Sequence, residues 1–281
     1  MKTILDYIGN TPLIKVEDNI FVKVEGFNPG GSIKDRIVLN MINDAEKQGI
    51  LKKGDTLVEA TSGNTGVGLS MVGAMKGYKV KVIMPESTSQ EKIKMIKVFG
   101  GEVILVENIK FRKEVIEDIK ERIKNGEKLV FLNQYENMMN PMAHYVKTAE
   151  EILEQMEGKN IDYFIAGMGT GGTITGVGKK LKEKFPQIKI IGVQPVQGET
   201  IEGLRSLKDG FVPPVIDFDI IDEIYDLEAE KAFKAREEIA KRGILVGPSS
   251  GAALYLSQKI KEENPDKNIV TIFPDRGERY L

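Results

Sequence analysis

The feature that most limits the possible folds is a regular alternation of short apolar runs with helix-forming segments. The apolar runs have the length of buried strands and lie at residues 55–60, 79–84, 102–106, 129–132, 163–166, 189–193 and 269–273. The segments between them have helical periodicity, as at 65–75, 89–99, 111–124, 173–184 and 250–263. Such alternation predicts the α/β class, with parallel sheets that carry helices on both faces.

The alternation is interrupted once, by a polar stretch at residues 133–140 and a long predicted helix that Pro141 opens. We therefore predict two doubly wound parallel-sheet subdomains within one unit of residues 1–281. The smaller subdomain spans about 35–140, and the larger spans about 1–34 plus 141–281. A loop-rich segment at 197–222 is expected to be mobile or to cover a substrate, and 243–247 is expected to form a short strand.

Three turns lie where predicted strands lead into helices, which is where open parallel sheets bind ligands. The glycines of the turn at 168–173 allow backbone N–H groups to converge, which favours a phosphate. Gly167, just before the turn, also matches a dinucleotide fingerprint together with Gly169 and Gly172. The acidic residue of that fingerprint is missing after the next strand. The turn at 61–66 is equally a carboxylate site or a capped helix start. An ordinary helix N-cap is enough to explain the turn at 247–251, without a ligand.

Lys34 follows the turn 28–31 and Ser32, whose hydroxyl can bind the start of the next helix. The positive end of a helix dipole disfavours a cation, so a lysine there should lose its proton easily, as a nucleophilic or imine-forming lysine must. On this stretch alone, one more solvated lysine among 40 basic residues is the favoured interpretation.

Composition excludes several classes of protein. A net charge of −2 gives no basic field for nucleic acid or anionic lipid, and no apolar run approaches the length of a membrane span. The absence of cysteine excludes disulfides and thiolate metal sites, and His144 alone cannot build a histidine metal site. We expect a cytoplasmic protein without a metal, in which a cofactor carries any chemistry.

Six motifs in order resemble the cysteine synthase (O-acetylserine sulfhydrylase) family of fold-type-II pyridoxal-phosphate enzymes, whose fold is tryptophan synthase β-like. They cover nearly the whole chain, at residues 8–13, 28–36, 61–66, 169–173, 249–253 and 277–281. The segment 201–207 is similar to the cysteine synthase B branch.

The resemblance implies a role for each matching residue. Lys34 is the catalytic residue and forms the imine with pyridoxal phosphate. The other cofactor-binding residues are Asn64 at the ring oxygen, Ser249 (or its neighbour Ser250) at the pyridine nitrogen, and Gly169, Thr170, Gly171, Gly172 and Thr173 at the phosphate. Thr61, Ser62, Thr65 and Gln134 grip the substrate carboxylate.

The implied reaction is β-replacement, which converts O-acetyl-L-serine and sulfide to L-cysteine and acetate through an α-aminoacrylate. O-Phosphoserine is a further candidate substrate, with Arg205 pairing its phosphate, although a solvent-facing loop arginine is the slightly favoured alternative. A homodimer is implied by the family only. The alternatives are a cystathionine β-synthase or serine/threonine dehydratase of the same fold and, in a different class, a nicotinamide-binding oxidoreductase. His144 is expected to be a structural residue near the subdomain junction.

Overall fold

The chain forms two β-sheets in this computed structural model, which describes residues 1–107 and 113–281. The described strands are β1 Leu13–Glu17, β2 Ile20–Val24, β3 Thr56–Ala60, β4 Lys79–Pro85, β5 Glu102–Val106, β6 Leu129–Phe131, β7 Tyr163–Gly167, β8 Lys189–Pro195, β9 Glu223–Leu227 and β10 Ile269–Phe273. The described helices are α1 Lys34–Lys47, α2 Asn64–Lys76, α3 Gln90–Val98, α4 Lys113–Lys124, α5 Met139–Ala143, α6 Ala149–Gln155, α7 Gly172–Lys184, α8 Ala229–Ala240 and α9 Pro248–Glu263.

The larger sheet has the strand order β1-β2-β10-β7-β8-β9. Only the β1–β2 pair is antiparallel, and the remaining pairs are parallel. Its two faces are covered by different helices: α8 and α9 pack in one apolar cluster, and α6 and α7 pack in another. Because both faces are buried, the central strands β7 and β10 are almost entirely apolar, as the sequence pattern indicates.

The smaller sheet, of order β5-β4-β3-β6, is parallel throughout. Neighbouring residues of β3 serve opposite faces: Leu57 packs with α1, α2 and α3, whereas Val58 packs with α4. The parallel α/β architecture predicted from the sequence is therefore present. All strands of this sheet fall inside the predicted range 35–140, and the division into subdomains at that boundary stays a proposal.

Several predicted boundaries differ from the observed ones. The edge strand β9 is not among the predicted strands, because its charged residues and half-exposed side chains hide the strand pattern. The predicted strand at 243–247 is wrong: only Val246 pairs there, in an isolated bridge with Arg276. The long helix begins at Met139, before Pro141, and a π-helical turn at His144–Thr148 separates α5 from α6. The predicted start of α4 at Phe111 lies outside the described residues.

None of the helices in the described part of the chain is long and apolar enough to cross a membrane.

Candidate active site

A cavity of about 750 Å³ opens at the carboxyl ends of strands from both sheets. Residues that follow β2, β3, β4, β6, β7, β8 and β10 all contribute to its wall. This is the edge at which parallel sheets bind ligands, so the topology itself collects the polar turns in one place. Nine of the residues predicted for the site line the cavity: Lys34, Thr61, Ser62, Asn64, Thr65, Gln134, Gly169, Thr170 and Arg205.

Lys34 is the first residue of α1 and lines the cavity with a partly buried side chain. Its backbone N–H donates to the Ser32 hydroxyl at 3.2 Å. Burial, together with the positive charge of Arg205, lowers the pKa of Lys34 to about 8, although the negative charge of Asp275 opposes this shift. The side chain is therefore suited to exchange protons near neutral pH.

We expect the pH dependence of Lys34 modification to report this shift. In the cofactor-free, full-length protein, labelling of Lys34 by a small amine-selective reagent should rise with a midpoint near pH 8, because only the neutral amine reacts. Exposed lysines should follow the usual lysine pKa of about 10.4. Peptide mass spectrometry across a pH series measures both in one sample. A midpoint for Lys34 that coincides with that of the exposed lysines would contradict the shift.

The turn from Gly169 to Thr173 begins α7, and Gly171 has a φ of +85°, a conformation that favours glycine. The Thr170 hydroxyl accepts from the Gly172 N–H at 3.3 Å and from the Asn140 side chain at 3.1 Å. A Cβ at Gly172 would lie 2.0 Å from Asn140, so this close approach requires glycine. The backbone N–H groups of this turn therefore lie at the N-terminus of a helix, a position that favours the binding of a phosphate.

His144 supports this turn from behind. Its Nε2 lies 3.3 Å from the Thr173 hydroxyl, and its Nδ1 lies 3.0 Å from the Thr148 hydroxyl. Burial holds the pKa of His144 well below its usual value, and the nearby Lys34 charge adds to this. A neutral, fully buried histidine in two hydroxyl contacts is a structural residue, as the sequence indicates.

The residues predicted to grip a carboxylate are also brought together. Thr65 donates from its hydroxyl to the side-chain oxygen Oε1 of Gln134 at 2.7 Å, which joins the turn after β3 to the segment after β6. The Gly63 N–H donates to the Thr61 hydroxyl at 3.1 Å, and Gly63 has a φ of +148°. Lys92 lies so close that a Cβ at Gly63 would meet its side chain at 2.4 Å. A cation therefore lies beside the hydroxyl-rich turn.

Ser249 and Ser250 occupy the first turn of α9 and are both buried. Ser249 lies against Gly203, a residue of the cavity wall, because a Cβ at Gly203 would be 3.2 Å from the Ser249 hydroxyl oxygen. The Ser250 hydroxyl is buried without a hydrogen-bond partner among the residues that the structure describes. Ser249 is therefore the serine nearer to the cavity, although neither is part of its wall.

Arg205 faces the cavity, so the alternative of a solvent-facing loop arginine is wrong. Its Nη2 donates to the Tyr135 hydroxyl at 2.9 Å, and the guanidinium lies over the rings of Tyr135 and Phe211 at 4.8 and 5.4 Å. Its Nη1 is buried without a hydrogen-bond partner within the described ranges. A cation with an unused donor in a cavity wall suits an anionic group of a ligand.

Several residues of the candidate site are not predicted from the sequence. They are Lys92, Tyr135, Phe211, Asp275, Arg279 and Tyr280, all within the cavity wall or bonded to residues of the wall. The last three follow β10, so the rule that function gathers after the carboxyl end of a strand would have pointed to them. The motif at 277–281 is part of the family resemblance, which implies no role for its residues.

Comparison with known proteins decides the family. Residues 4–275 match the family described as pyridoxal-phosphate dependent enzyme. The chain belongs to that family. It is 44% identical to a cysteine synthase of Staphylococcus aureus, over 99% of this chain and 94% of the relative. It is 41% identical to cysteine synthase B of Escherichia coli, over 100% of this chain and 95% of the relative.

Among solved structures, the chain is similar to a hydrogen sulfide-producing enzyme from Fusobacterium nucleatum. The two share 42% sequence identity and a TM-score of 0.93, with 100% of each chain covered. These findings confirm the predicted cysteine synthase family, the fold-type-II α/β architecture and pyridoxal phosphate as the cofactor. They leave the nicotinamide-binding alternative without support.

The residues of this pyridoxal-phosphate dependent enzyme fit the cofactor. Its cavity places a lysine of lowered pKa, an amide side chain and a glycine turn at a helix N-terminus in one wall. The unpartnered Arg205 Nη1, within the part of the chain that the structure describes, marks a place where a ligand atom would complete a hydrogen bond. The individual roles of these residues are proposals.

Proposed function

We propose that the protein makes L-cysteine by β-replacement, from O-acetyl-L-serine and sulfide, with release of acetate. The single observation that carries this proposal is the meeting of Lys34 with the phosphate-type turn and the carboxylate-type turn in one cavity. The relatives named cysteine synthase support cysteine as the product, and the residues of the cavity support β-replacement as the reaction.

Lys34, Asn64, Ser249 and the turn Gly169–Thr173 would hold the cofactor. When bound, the cofactor supplies an electron sink for the pair left at Cα. The Lys34 amine takes the Cα proton as a general base, acetate departs from Cβ with the C–O bonding pair, and the sulfide sulfur forms the new bond to Cβ. Lys34 then returns a proton to Cα, which restores its neutral state. Its pKa of about 8 allows both directions of transfer.

The turn after β3 orients the substrate. The hydroxyls of Thr61, Ser62 and Thr65 and the N–H groups at the start of α2 would bind the α-carboxylate, with Gln134 already bonded to Thr65. Binding of the carboxylate at this turn would hold the substrate Cα near Lys34, so that the proton moves over a short distance. The nearby Lys92 adds positive charge behind the same turn.

Steady-state rates test the reaction. Cysteine formation from sulfide should be fastest with O-acetylserine or O-phosphoserine and much slower with serine, because hydroxide is a poor leaving group. Rapid turnover of serine or threonine to a keto acid without sulfide would instead establish a dehydratase, and efficient use of serine with homocysteine would establish a cystathionine β-synthase.

The similarity to a hydrogen sulfide-producing enzyme gives a second candidate function, release of sulfide from cysteine. It needs the same proton transfer by Lys34, followed by departure of sulfur from Cβ. Sulfide release from cysteine at a rate above that of cysteine formation from O-acetylserine would favour this candidate over the first.

We also propose O-phosphoserine as a substrate, bound through Arg205. Replacing Arg205 with alanine should lower kcat/KM for O-phosphoserine by about 10- to 100-fold relative to O-acetylserine, since a charge-assisted hydrogen bond contributes about 1.5–3 kcal/mol. Arg205 also lowers the pKa of Lys34, so its loss changes both rates. The ratio of the two values cancels that shared effect. Tyr135→Phe, which removes the hydroxyl partner and keeps the ring, is the control. An unchanged ratio in the Arg205 variant would rule out the phosphate contact.

Two further expectations stay predictions: a homodimer, which the resemblance implies, and a cytoplasmic location, which the composition indicates. The substrates are small molecules in each of the candidate reactions.

A further inference from the structure

The segment that follows β10, residues 275–281, crosses from the larger sheet to the Lys34 turn and to α2. Ile33 donates its N–H to the Pro274 carbonyl at 2.8 Å, and Ser32 and Asp275 form an isolated β-bridge. The Arg276 side chain donates to the Gly26 carbonyl at 2.6 Å. This closing segment therefore contacts the chain on both sides of the turn that carries Lys34.

The Asn64 side chain is held by the closing segment at both ends of its amide. Arg279 donates from Nη1 to the Asn64 carbonyl oxygen at 2.5 Å. The Asn64 amino group donates to Asp275 Oδ2, also at 2.5 Å. A flipped amide would direct its amino group at a guanidinium and its carbonyl at a carboxylate, so only one orientation is compatible with both partners. The cluster therefore fixes which end of Asn64 is the donor.

A single guanidinium also joins Asn64 to the turn before Lys34. The second terminal nitrogen of Arg279 donates to the Gly30 carbonyl oxygen. A Cβ at Gly31 would lie 2.5 Å from that nitrogen, so glycine at this position is what allows the approach. Arg279 is almost fully buried, at 4% exposure, so its side chain cannot trade these bonds for water. Arg279 thus links the first residue of α2 directly to the turn before Lys34.

Asp275 completes the arrangement. It is buried at 2% exposure and also accepts from the Tyr280 hydroxyl. Its other oxygen has no hydrogen-bond partner among the described residues, and a Cβ at Gly247 would lie 2.2 Å from that oxygen. The Tyr280 ring lines the cavity and lies under the Lys92 ammonium at 4.1 Å. The carboxylate is therefore held in place by its neighbours and can hold Asn64 in turn.

We propose that Arg279 and Asp275 are positioning residues, which fix the Asn64 amide and the Lys34 turn in the arrangement that binds pyridoxal phosphate. This rests on the proposed role of Asn64 as a donor to the cofactor. A ring oxygen with negative charge accepts only from the amino end of an amide, so a fixed orientation pre-organises the contact. Neither residue needs to touch the substrate for this purpose.

The test measures the affinity of the full-length protein for its cofactor. Pyridoxal phosphate is titrated into protein from which the cofactor has been removed. Arg279→Lys keeps the charge but cannot reach Gly30 and Asn64 together. Asp275→Asn removes the negative charge and replaces one of the two acceptor oxygens with a donor. Each should raise the dissociation constant by about 10- to 100-fold, the usual effect of losing a hydrogen bond to a charged group. Tyr280→Phe is a milder variant that removes one bond to Asp275, and it should raise the dissociation constant severalfold.

Two variants serve as matched controls and should leave the dissociation constant within about twofold of the parent. Glu278→Gln removes one carboxylate from the same segment at an exposed position. Arg242→Lys changes an arginine that also binds one backbone carbonyl, of Val16, and one side-chain oxygen, of Glu17. A loss of affinity in the controls equal to that in Arg279→Lys would overturn the proposal.

A double-mutant cycle separates positioning from general stabilisation. In an Asn64→Ala background the penalty of Arg279→Lys should shrink by at least about threefold, because the group it positions is gone. An equal penalty in both backgrounds, or a lowered melting temperature with unchanged cofactor affinity, would overturn the proposal. The affinity is measured without substrate, so the outcome is independent of which β-replacement the enzyme performs. Loss of binding in Lys34→Ala, with no effect of Arg279→Lys, would leave the proposed function intact.

Discussion

Replacing Lys34 with alanine is expected to reduce turnover by at least about 10³-fold and to abolish covalent attachment of the cofactor. The reason is that Lys34 is the only lysine of strongly lowered pKa that meets both the phosphate-type and the carboxylate-type turns in the described part of the cavity wall. Two measurements check this result. Steady-state cysteine formation reports turnover, and borohydride reduction followed by peptide mass spectrometry reports the attachment site.

Lys47→Ala is the matched control, because Lys47 is an exposed lysine at the other end of the same helix. Its turnover and its attachment of the cofactor should equal those of the parent. Detection of the reduced cofactor adduct on another lysine of the parent protein would assign the role elsewhere. Retention of more than about a tenth of the turnover in Lys34→Ala would show that another group moves the Cα proton.

The architecture could be predicted from the sequence because each strand of a doubly covered sheet is a short, almost continuous apolar run. β10 and β5 are observed at the predicted residues, since both have apolar cores bounded by polar turns. The edge strand β9 has water on part of its surface, so burial does not shape its sequence in the same way. The isolated pair at Val246 has a strand-like sequence but no neighbouring strand to extend it.

Much of the candidate site could be placed from the sequence for a different reason. Turns after parallel strands meet at one edge, so local motifs such as 61–66 and 169–173 converge without any knowledge of side-chain positions. Contacts between side chains from distant segments carry no local signal. The bond from Arg205 to Tyr135 and those from Arg279 to Asn64 and Gly30 join residues 70, 215 and 249 positions apart.

The buried carboxyl group of Glu59 is another feature that carries no local signal in the sequence. It lies on β3 inside the predicted strand, where a charged residue looks like an exposed position. In the structure it is 1% exposed, and burial raises its pKa to about 8, so at neutral pH it is mainly protonated. The sequence shows a residue that is normally charged, and its neutral state follows only from its burial in the fold.

Replacing Arg36 with alanine is expected to cost about 3–5 kcal/mol of the free energy of unfolding, the usual effect of breaking a buried ion pair. Arg36 makes two bonds to Glu25, at 2.6 and 2.8 Å, and two to Glu151, both at 2.7 Å. Lys23 pairs with the same Glu151 at 2.8 Å. The Arg36 and Glu25 side chains are 1% and 0% exposed, so the alanine variant leaves a buried carboxylate without its cation.

Chemical denaturation measures this loss, and Arg122→Ala is the control. Arg122 also binds a glutamate, Glu127, at 2.6 Å, but the two side chains are 33% and 37% exposed, so this change should cost at most about 1 kcal/mol. Arg36→Lys keeps the charge without the bidentate geometry and should fall between them. Equal losses in the alanine variants of Arg36 and Arg122 would contradict the argument. Because Arg36 lies two residues beyond Lys34, this network also anchors the first turn of the helix that presents the proposed catalytic amine.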